Sequence, residues 1–143
     1  LSCLTALGAE VEMTGRTGAR RLPVAQLVHG AMHTDLAADE LLTAIRIPRF
    51  SPRARFGYHK ICRKTGEFAE AIGVAVHDPE RGIARLVAST AAGRPIVLDG
   101  APLDADPAAL KQRLAQAGFV GDTYAINVHA AALQRAILGA QAP

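Results

Sequence analysis

The chain has 143 residues, half of them hydrophobic and a fifth charged, which suits one modest domain or two small lobes. Its net charge of +3 is mild, and its cations are scattered rather than interleaved with aromatic residues, which argues against a nucleic-acid-binding surface. No apolar run reaches membrane-spanning length. The two cysteines, Cys3 and Cys62, form neither a disulfide framework nor a CxxC site, so we expect a reducing, cytoplasmic compartment.

The first 48 residues are rich in strand patterns. The opening "LSCLTALGAE" is typical of the last turns of a helix that ends at Gly8, so we expect the chain to be a piece or a cleaved form of a larger protein. "EVEMTG" and "GARRLPV" predict two paired strands around the hairpin loop "TGRTG". "VAQLVHG" predicts a short helix, and "LLTAIRIP" predicts a strand that ends at Pro48.

A polar connector from Pro48 to about Arg53 marks the best internal boundary, and a second sheet follows it. "ARFGYHKICR" predicts a strand with Phe56, Tyr58 and Lys60 on one face. "TGEFAEA" predicts a turn. "IGVAVHD" predicts a strand and "IARLVASTAAGRPIVL" another strand or two, so we expect a meander of three antiparallel strands.

The last third of the chain is helical. Asp106 is a suitable N-cap with Pro107 at the first helical position, and that helix is expected to end near Ala117. "TYAINVHAAALQRAILGA" predicts a final helix, with four residues on one side: Tyr124, Val128, Ala132 and Leu133. Strands followed by helices define an α+β fold rather than an alternating βαβ one.

Histidine and serine motifs give no support for metal or triad chemistry. His29 and His33 stand four apart, but "HGAMH" lacks the glutamate of HExxH, so we expect them to be loop residues. His59, His77 and His129 are isolated and are expected at the surface or its boundary. No GxSxG, Walker A or GxGxxG motif is present, and we predict no catalytic residue and no metal ligand.

The segment "YHKICRKTGEFAEA" concentrates charge around a glycine. Taken alone, Lys60, Arg63 and Lys64 would form a solvated face with Glu67 as their counter-ion. A functional interpretation of this segment depends on its neighbours in the chain.

The order of these segments is similar to that of one family. "ALGAEVEMTGRTGARRLPVAQLVHG", "TDLAADELLTAIRIP" and "YHKICRKTGEFAEAIGVAV" together resemble the flavoprotein subunit of molybdenum hydroxylases. Carbon monoxide dehydrogenase medium subunits and the flavin domain of xanthine dehydrogenase belong to this family. The likeness runs from Leu7 to about Val76 and extends more weakly to the end.

The resemblance implies a domain division. Residues 1–52 would be the C-terminal part of the second, PCMH-type FAD-binding subdomain. Residues 53–143 would be the family's C-terminal domain, a three-stranded antiparallel sheet packed on a small helical bundle.

It also implies cofactors, partners and site residues. The parent protein would relay electrons from 2Fe–2S clusters through FAD to NAD, a quinone or another acceptor. An iron–sulfur small subunit and a molybdenum-cofactor large subunit would be its partners. Leu42 and Lys60 would lie at FAD, and Arg63 and Glu67 would belong to a loop that passes over the flavin ring and tunes its potential.

Several departures keep other functions open. Lys64 and Glu67 stand where the family usually has arginine and aspartate, and the tail from Ala101 to Tyr124 is shorter than usual. The family's glycine-rich diphosphate loops are absent, so this chain alone should bind FAD poorly or not at all and be inactive. The alternatives are a non-catalytic docking domain, a truncated remnant that lost its cofactor, or a small basic nucleic-acid module.

Overall fold

A computed structural model describes residues 1–30, 32–90, 93–100 and 103–142. Its elements in chain order are α1 (Ser2–Ala6), β1 (Glu10–Gly15), β2 (Gly18–Pro23), α2 (Val24–Leu27), β3 (Val28–Gly30), β4 (His33–Thr34), β5 (Leu41–Arg46), β6 (Arg55–Ile61), β7 (Ala71–Asp78), β8 (Ile83–Ser89), β9 (Ile96–Asp99), α3 (Pro107–Gln116) and α4 (Thr123–Gln141). Ala91 and Ala92, within the predicted "IARLVASTAAGRPIVL" strands, lie outside the described residues.

The first sheet has three antiparallel strands in the order β2-β1-β5; the β1–β2 hairpin and the strand β5 were predicted, and the pairing of β5 with β1 is an addition from the structure. Val11 and Met13 of β1 are buried and alternate with more exposed residues, so one face of the sheet carries a small core. The predicted helix in "VAQLVHG" is shorter than expected. It ends at Leu27 because Val28, a β-branched residue, begins a short strand that pairs with β4.

The second sheet is an antiparallel meander of four strands, β6-β7-β8-β9, rather than the three expected. The stretch after β8 contains Pro95, which has no N–H to donate to a ladder and therefore separates β8 from β9. The meander itself is confirmed. The added strand β9 extends the surface on which the helices pack.

Helices α3 and α4 cover one face of the second sheet. Asp106 caps α3 as predicted, since its Oδ2 accepts a hydrogen bond from the Ala109 amide at 2.8 Å, and Pro107 is the first helical residue. Gly118 follows the helix with a φ of +83°, a left-handed conformation that glycine adopts easily. Among the described residues, no helix combines the length and the apolarity needed to cross a membrane.

The buried side of α4 differs in part from the predicted one. Ala132 and Leu133 are fully buried, as expected, but Tyr124 is 62% exposed because the first turn of α4 borders an open pocket rather than the sheet. Small residues dominate the buried side: the fully or almost fully buried alanines of α4 are Ala130, Ala132, Ala136 and Ala140.

These alanines allow α4 to touch the strand backbones directly. A Cβ atom built on Gly57 of β6 would lie 1.8 Å from the carbonyl oxygen of Ala136, and one on Gly73 of β7 would lie 2.3 Å from that of Ala132. Both distances are far below van der Waals contact, so only glycine fits at these positions. Helix α4 therefore packs directly on the backbone at Gly57 and Gly73, and we call these two glycines the glycine seat.

The opposite face of the second sheet packs against residues from the start of the chain. Ala6 of α1 is buried with Val74, Val76 and Val87 in a separate apolar cluster. The hydroxyl oxygens of Ser2 and Ser89 lie 2.5 Å apart in the same region. Helix α1 thus joins the first segment of the chain to the second sheet.

The connector before β6 is anchored rather than free. The carboxylate of Asp78 is fully buried and accepts hydrogen bonds from the Ser51 amide at 2.8 Å and the Ser51 hydroxyl at 2.6 Å. Burial raises the pKa of Asp78, but the hydrogen bonds from Ser51 together with the amide and the charge of Arg81 outweigh it and hold the pKa below its ordinary value. The domain boundary near residue 52 stays a prediction, although the connector there is held to the second sheet.

The close contact at the glycine seat predicts that larger residues there lower the stability of the fold. We expect Gly73→Ala to destabilise the fold by about 2–3 kcal/mol, because the new methyl group would overlap the backbone of α4 and force it away from the sheet. Urea unfolding followed by circular dichroism measures this change.

Gly139→Ala is the matched control. Gly139 is exposed on the same helix, and a Cβ atom there would lie 3.8 Å from its nearest neighbour, which is an ordinary contact. We expect this variant to gain about 0.5–1 kcal/mol from improved helix propensity. Equal effects from the two substitutions would contradict the close packing of α4.

Candidate functional site

The loop between β6 and β7 brings together three of the four site residues predicted from the sequence. Lys60 lies near the end of β6, and its Nζ donates a hydrogen bond to the carbonyl oxygen of Glu67 at 2.7 Å. Arg63 is 78% exposed, and its Nε lies 4.0 Å from a carboxylate oxygen of Glu67. The ammonium group therefore fixes the loop backbone, while the guanidinium stays available at the surface.

Two further residues join this group. Arg63 Nε lies 3.4 Å from Glu70 Oε1, and the Tyr124 hydroxyl donates to Glu70 Oε2 at 2.9 Å. This hydrogen bond raises the pKa of the Tyr124 hydroxyl, because the phenolate would face a carboxylate. We call the side chains of Lys60, Arg63, Glu67 and Glu70 the collar.

Sequence reasoning missed Glu70 and Tyr124. Glu70 follows Glu67 by three residues, but 54 positions separate it from Tyr124, and no local pattern connects a loop to the first turn of a distant helix. The packing of α4 on β6 and β7 makes the contact.

The loop presents an exposed aromatic ring beside the collar. Gly66 has a φ of +90°, which the chain needs in order to turn back toward β7. Phe68 follows shortly after and is 88% exposed, which is unusual for a side chain of its size. A cationic group next to an accessible ring can hold a planar, electron-rich or anionic ring system by stacking and charge.

Leu42 belongs to a different part of the molecule. It lies on strand β5 of the first sheet and is 43% exposed, outside the collar. The turn before β5 is fixed by Arg20, which donates to Glu40 Oε1 at 2.6 Å and to Asp35 Oδ2 at 2.9 Å. Glu40 also accepts a hydrogen bond from the Ala37 amide at 2.9 Å. This ion cluster therefore fixes the start of β5 and, with it, the position of Leu42.

We call the loop between β6 and β7, residues 62–70, the collar loop. A pocket of about 740 Å³ opens between this loop and the first turns of α4. We call it the helix-start pocket. The residues that matter here are Phe68, Glu70, Phe119, Tyr124, Val128 and His129. Its volume is within the range of small-molecule sites.

His129 differs from its predicted place at the surface. It is only 4% exposed, and its ring lies 4.7 Å, centroid to centroid, from that of Phe119. Burial lowers the pKa of His129, and a hydrogen bond between Nδ1 and the Ala125 carbonyl oxygen at 2.8 Å opposes this only partly. The helix satisfies one ring nitrogen locally, which allows the residue to be buried.

His29 and His33 are close, with ring centroids 5.4 Å apart, and His29 Nε2 lies 3.8 Å from Asp35 Oδ1. That carboxylate is also paired with Arg20. Within the described part of the chain, no group of three or more His, Cys, Asp or Glu residues is placed to hold a metal ion.

Comparison with known proteins gives a consistent result. Residues 1–50 match a family described as the FAD binding domain in molybdopterin dehydrogenase. The chain is 41% identical over 70 residues to the carbon monoxide dehydrogenase medium chain of Afipia carboxidovorans, covering 49% of this chain and 24% of the relative. It is 32% identical over 97 residues to caffeine dehydrogenase subunit beta of Pseudomonas sp. strain CBB1, covering 65% and 33% respectively.

A solved structure matches almost the whole chain. Reconstituted CO dehydrogenase from Oligotropha carboxidovorans superposes with a TM-score of 0.78 at 30% identity, covering 98% of this chain and 55% of the other. The fold and the sequence together identify this chain as a relative of the FAD-binding proteins of molybdopterin dehydrogenases. The resemblance read from the sequence is confirmed: the chain is related to the FAD-binding medium subunits of the molybdenum hydroxylase family. It spans between a quarter and just over half of the length of these relatives.

The residues present fit part of FAD. The exposed Phe68 ring and the cations of the collar suit a flavin ring, since both stacking and positive charge are available on one loop. The sequence has no glycine-rich loop of the kind that holds a diphosphate. The chemistry of these residues thus fits the ring of FAD, whereas no sequence motif in the chain fits its diphosphate.

The ion cluster before β5 predicts a pH dependence. Hydrogen bonds from Arg20 lower the pKa of Glu40 to about 2, below its ordinary value of 4.5. Because the pKa is lower in the folded state, the Glu40 carboxylate stabilises the fold fully above about pH 4.5, and this contribution is lost as the pH falls toward 2.

We expect Glu40→Gln to be less stable than the unmodified chain at pH 7 and the difference between the two to vanish near pH 2. Thermal unfolding midpoints measured across this range test the prediction. A difference that is constant from pH 7 to pH 2 would show that the Arg20–Glu40 pair does not form.

Proposed function

We propose that this chain is part of a flavoprotein subunit that relays electrons within a molybdenum-containing hydroxylase. The observation that carries this proposal is the placement of Lys60 near the end of β6, with Arg63 and the exposed Phe68 on the loop that follows, in a chain whose first 50 residues match an FAD-binding family. FAD, when bound, supplies one- and two-electron transfer.

The role of Lys60 in this proposal is both mechanical and electrostatic. Its hydrogen bond to the Glu67 carbonyl holds the loop in one conformation, and its ammonium group has two further donors for a ligand. A positive charge close to a flavin ring favours the negative charge that the ring gains on reduction. Lys60 is thus proposed to stabilise the reduced ring.

Arg63, Glu67 and Glu70 adjust that charge. The guanidinium is shared between two carboxylates at 4.0 and 3.4 Å, so its charge is only partly neutralised and can still attract an anion. These are exposed pairs, and their individual contribution to stability is small. We therefore assign the collar to tuning and access at the ring rather than to folding, and we assign Leu42 an apolar or backbone contact from the other lobe.

The relatives support an assembly with other chains. One is named a medium chain and another a subunit beta, which are names for components of multi-subunit proteins. We propose an iron–sulfur subunit as the electron donor and a molybdenum-cofactor subunit as the site of substrate oxidation. The final acceptor is proposed to be NAD, a quinone or another oxidant.

A second candidate is a docking or structural domain that does not bind FAD. The absence of a glycine-rich diphosphate loop from the sequence favours it. The two candidates differ in whether the collar loop binds a flavin ring at all.

A flavin without a diphosphate separates them. We expect the purified chain to quench the fluorescence of riboflavin with a measurable dissociation constant, and to bind FAD no more than about threefold more tightly, because only the ring would be held. Lys60→Met should weaken riboflavin binding about tenfold, the effect of losing one charge-assisted contact of about 1.4 kcal/mol.

Lys64→Met is the control, since it removes the same charge from the same loop. Lys64 is exposed and is not part of the collar, so the variant should stay within about twofold of the unmodified chain. No riboflavin binding by the unmodified chain would favour the docking domain. If the two substitutions weakened riboflavin binding equally, Lys60 would not be part of the site.

A further inference from the structure

The helix-start pocket has an apolar mouth and a polar floor. Phe68, Val120 and Tyr124 at the mouth are 88%, 95% and 62% exposed, whereas His129 is 4% exposed. Three large exposed side chains around one opening form a concentrated apolar surface, and such surfaces commonly mark binding sites.

One nitrogen of His129 has no partner. Nδ1 bonds to the Ala125 carbonyl oxygen at 2.8 Å, and a carbonyl only accepts, so Nδ1 carries the proton in the neutral imidazole. Nε2 is then an acceptor, and the residues that the structure describes make no hydrogen bond to it. Because His129 lines the pocket, a ligand donor there would give this nitrogen a hydrogen bond.

Glu70 and Tyr124 are also acceptors toward a ligand, and the pocket lining includes Thr90, whose hydroxyl oxygen accepts from the Gly93 amide at 2.9 Å. Glu70 is a carboxylate, and the Tyr124 hydroxyl has already donated its hydrogen to Glu70, which leaves its lone pairs. Among the described residues that line the pocket, none is lysine or arginine. The Glu70 carboxylate is itself paired with Arg63 at 3.4 Å, so the lining offers an anionic ligand no uncompensated positive charge.

We propose that the helix-start pocket binds a neutral aromatic compound of one or two rings that carries a hydroxyl or N–H donor, with His129 Nε2 accepting the hydrogen bond. The rings of Phe68 and Phe119 supply stacking surfaces, and Val128 supplies apolar contact. Hydroquinones, naphthols and N–H heteroaromatic compounds belong to this class. Nucleotides do not, because nothing in the lining compensates a phosphate charge.

This proposal does not rest on the proposed flavin function, although the two surfaces share Phe68 and Glu70. The flavin ring is assigned to the cations of the collar because its reduced form is an anion, whereas the described lining of the pocket contains no lysine or arginine. Phe68 borders both, so competition between ligands is a direct check.

A pair of probes tests the hydrogen bond in the unmodified chain. We expect 2-naphthol to bind about five- to tenfold more tightly than 2-methoxynaphthalene, which has the same rings and no donor, the difference being one hydrogen bond. Titration followed by long-range ¹H–¹⁵N NMR should move the Nε2 resonance of His129 with 2-naphthol only. Equal binding of the two probes, no binding, or an unmoved Nε2 resonance would each overturn the proposal.

Two variants and a competitor complete the experiment. His129→Phe should keep the stacking surface and lose the preference for 2-naphthol, while His129→Gln, which retains an acceptor, should recover part of it. Circular dichroism confirms that each variant is folded, and the NMR result on the unmodified chain decides the matter if one is not. Displacement of 2-naphthol by riboflavin at equal concentration would show that the pocket is the flavin site and overturn the assignment of a separate ligand.

Discussion

The direct contact between the backbone of α4 and the strands at Gly57 and Gly73 is the constraint on which the rest of the structure depends. Side chains normally hold a helix 8–10 Å or more from its neighbours. Here, alanines on the helix and glycines on the strands remove that spacing, and α4 lies against β6 and β7 over most of its length. Leu133 and Ile137 then reach the core shared with Leu86 and Leu110.

This seating fixes the site. Strand β6 leads into the collar loop, and the loop returns through β7, so both ends of the loop are tied to strands that α4 covers. The same helix carries Tyr124 and His129 in its first two turns. A hydrogen bond across 54 positions and a pocket between loop and helix follow from that one packing arrangement.

Much of the fold could be predicted from the sequence because its signals are local. The hairpin around "TGRTG" and the Asp106 cap followed by Pro107 each depend on a few neighbouring residues. Whether "IARLVASTAAGRPIVL" forms one strand or two stayed open, because "PIVL" is short and follows a proline. The end of α2 was misplaced because "VAQLVHG" suits either a helix or a strand.

The candidate site was predictable only in part, and for the same reason. Lys60, Arg63 and Glu67 lie within eight residues of each other, and the resemblance pointed to them together. Glu70 and Tyr124 meet only after α4 is seated. His129 was expected at the surface because a lone histidine gives no sequence signal that its own helix satisfies one of its nitrogens.

Native-state hydrogen exchange measures the central claim most directly. If α4 is seated on the glycines of β6 and β7, the slowest amides of α4, near Leu133 and Ile137, and those of β7, near Val74 and Ala75, should exchange through one opening. Its free energy should equal that of global unfolding, with the same denaturant dependence. Exchange of α4 through a separate opening at least 2 kcal/mol lower, while β7 stays protected, would contradict the account.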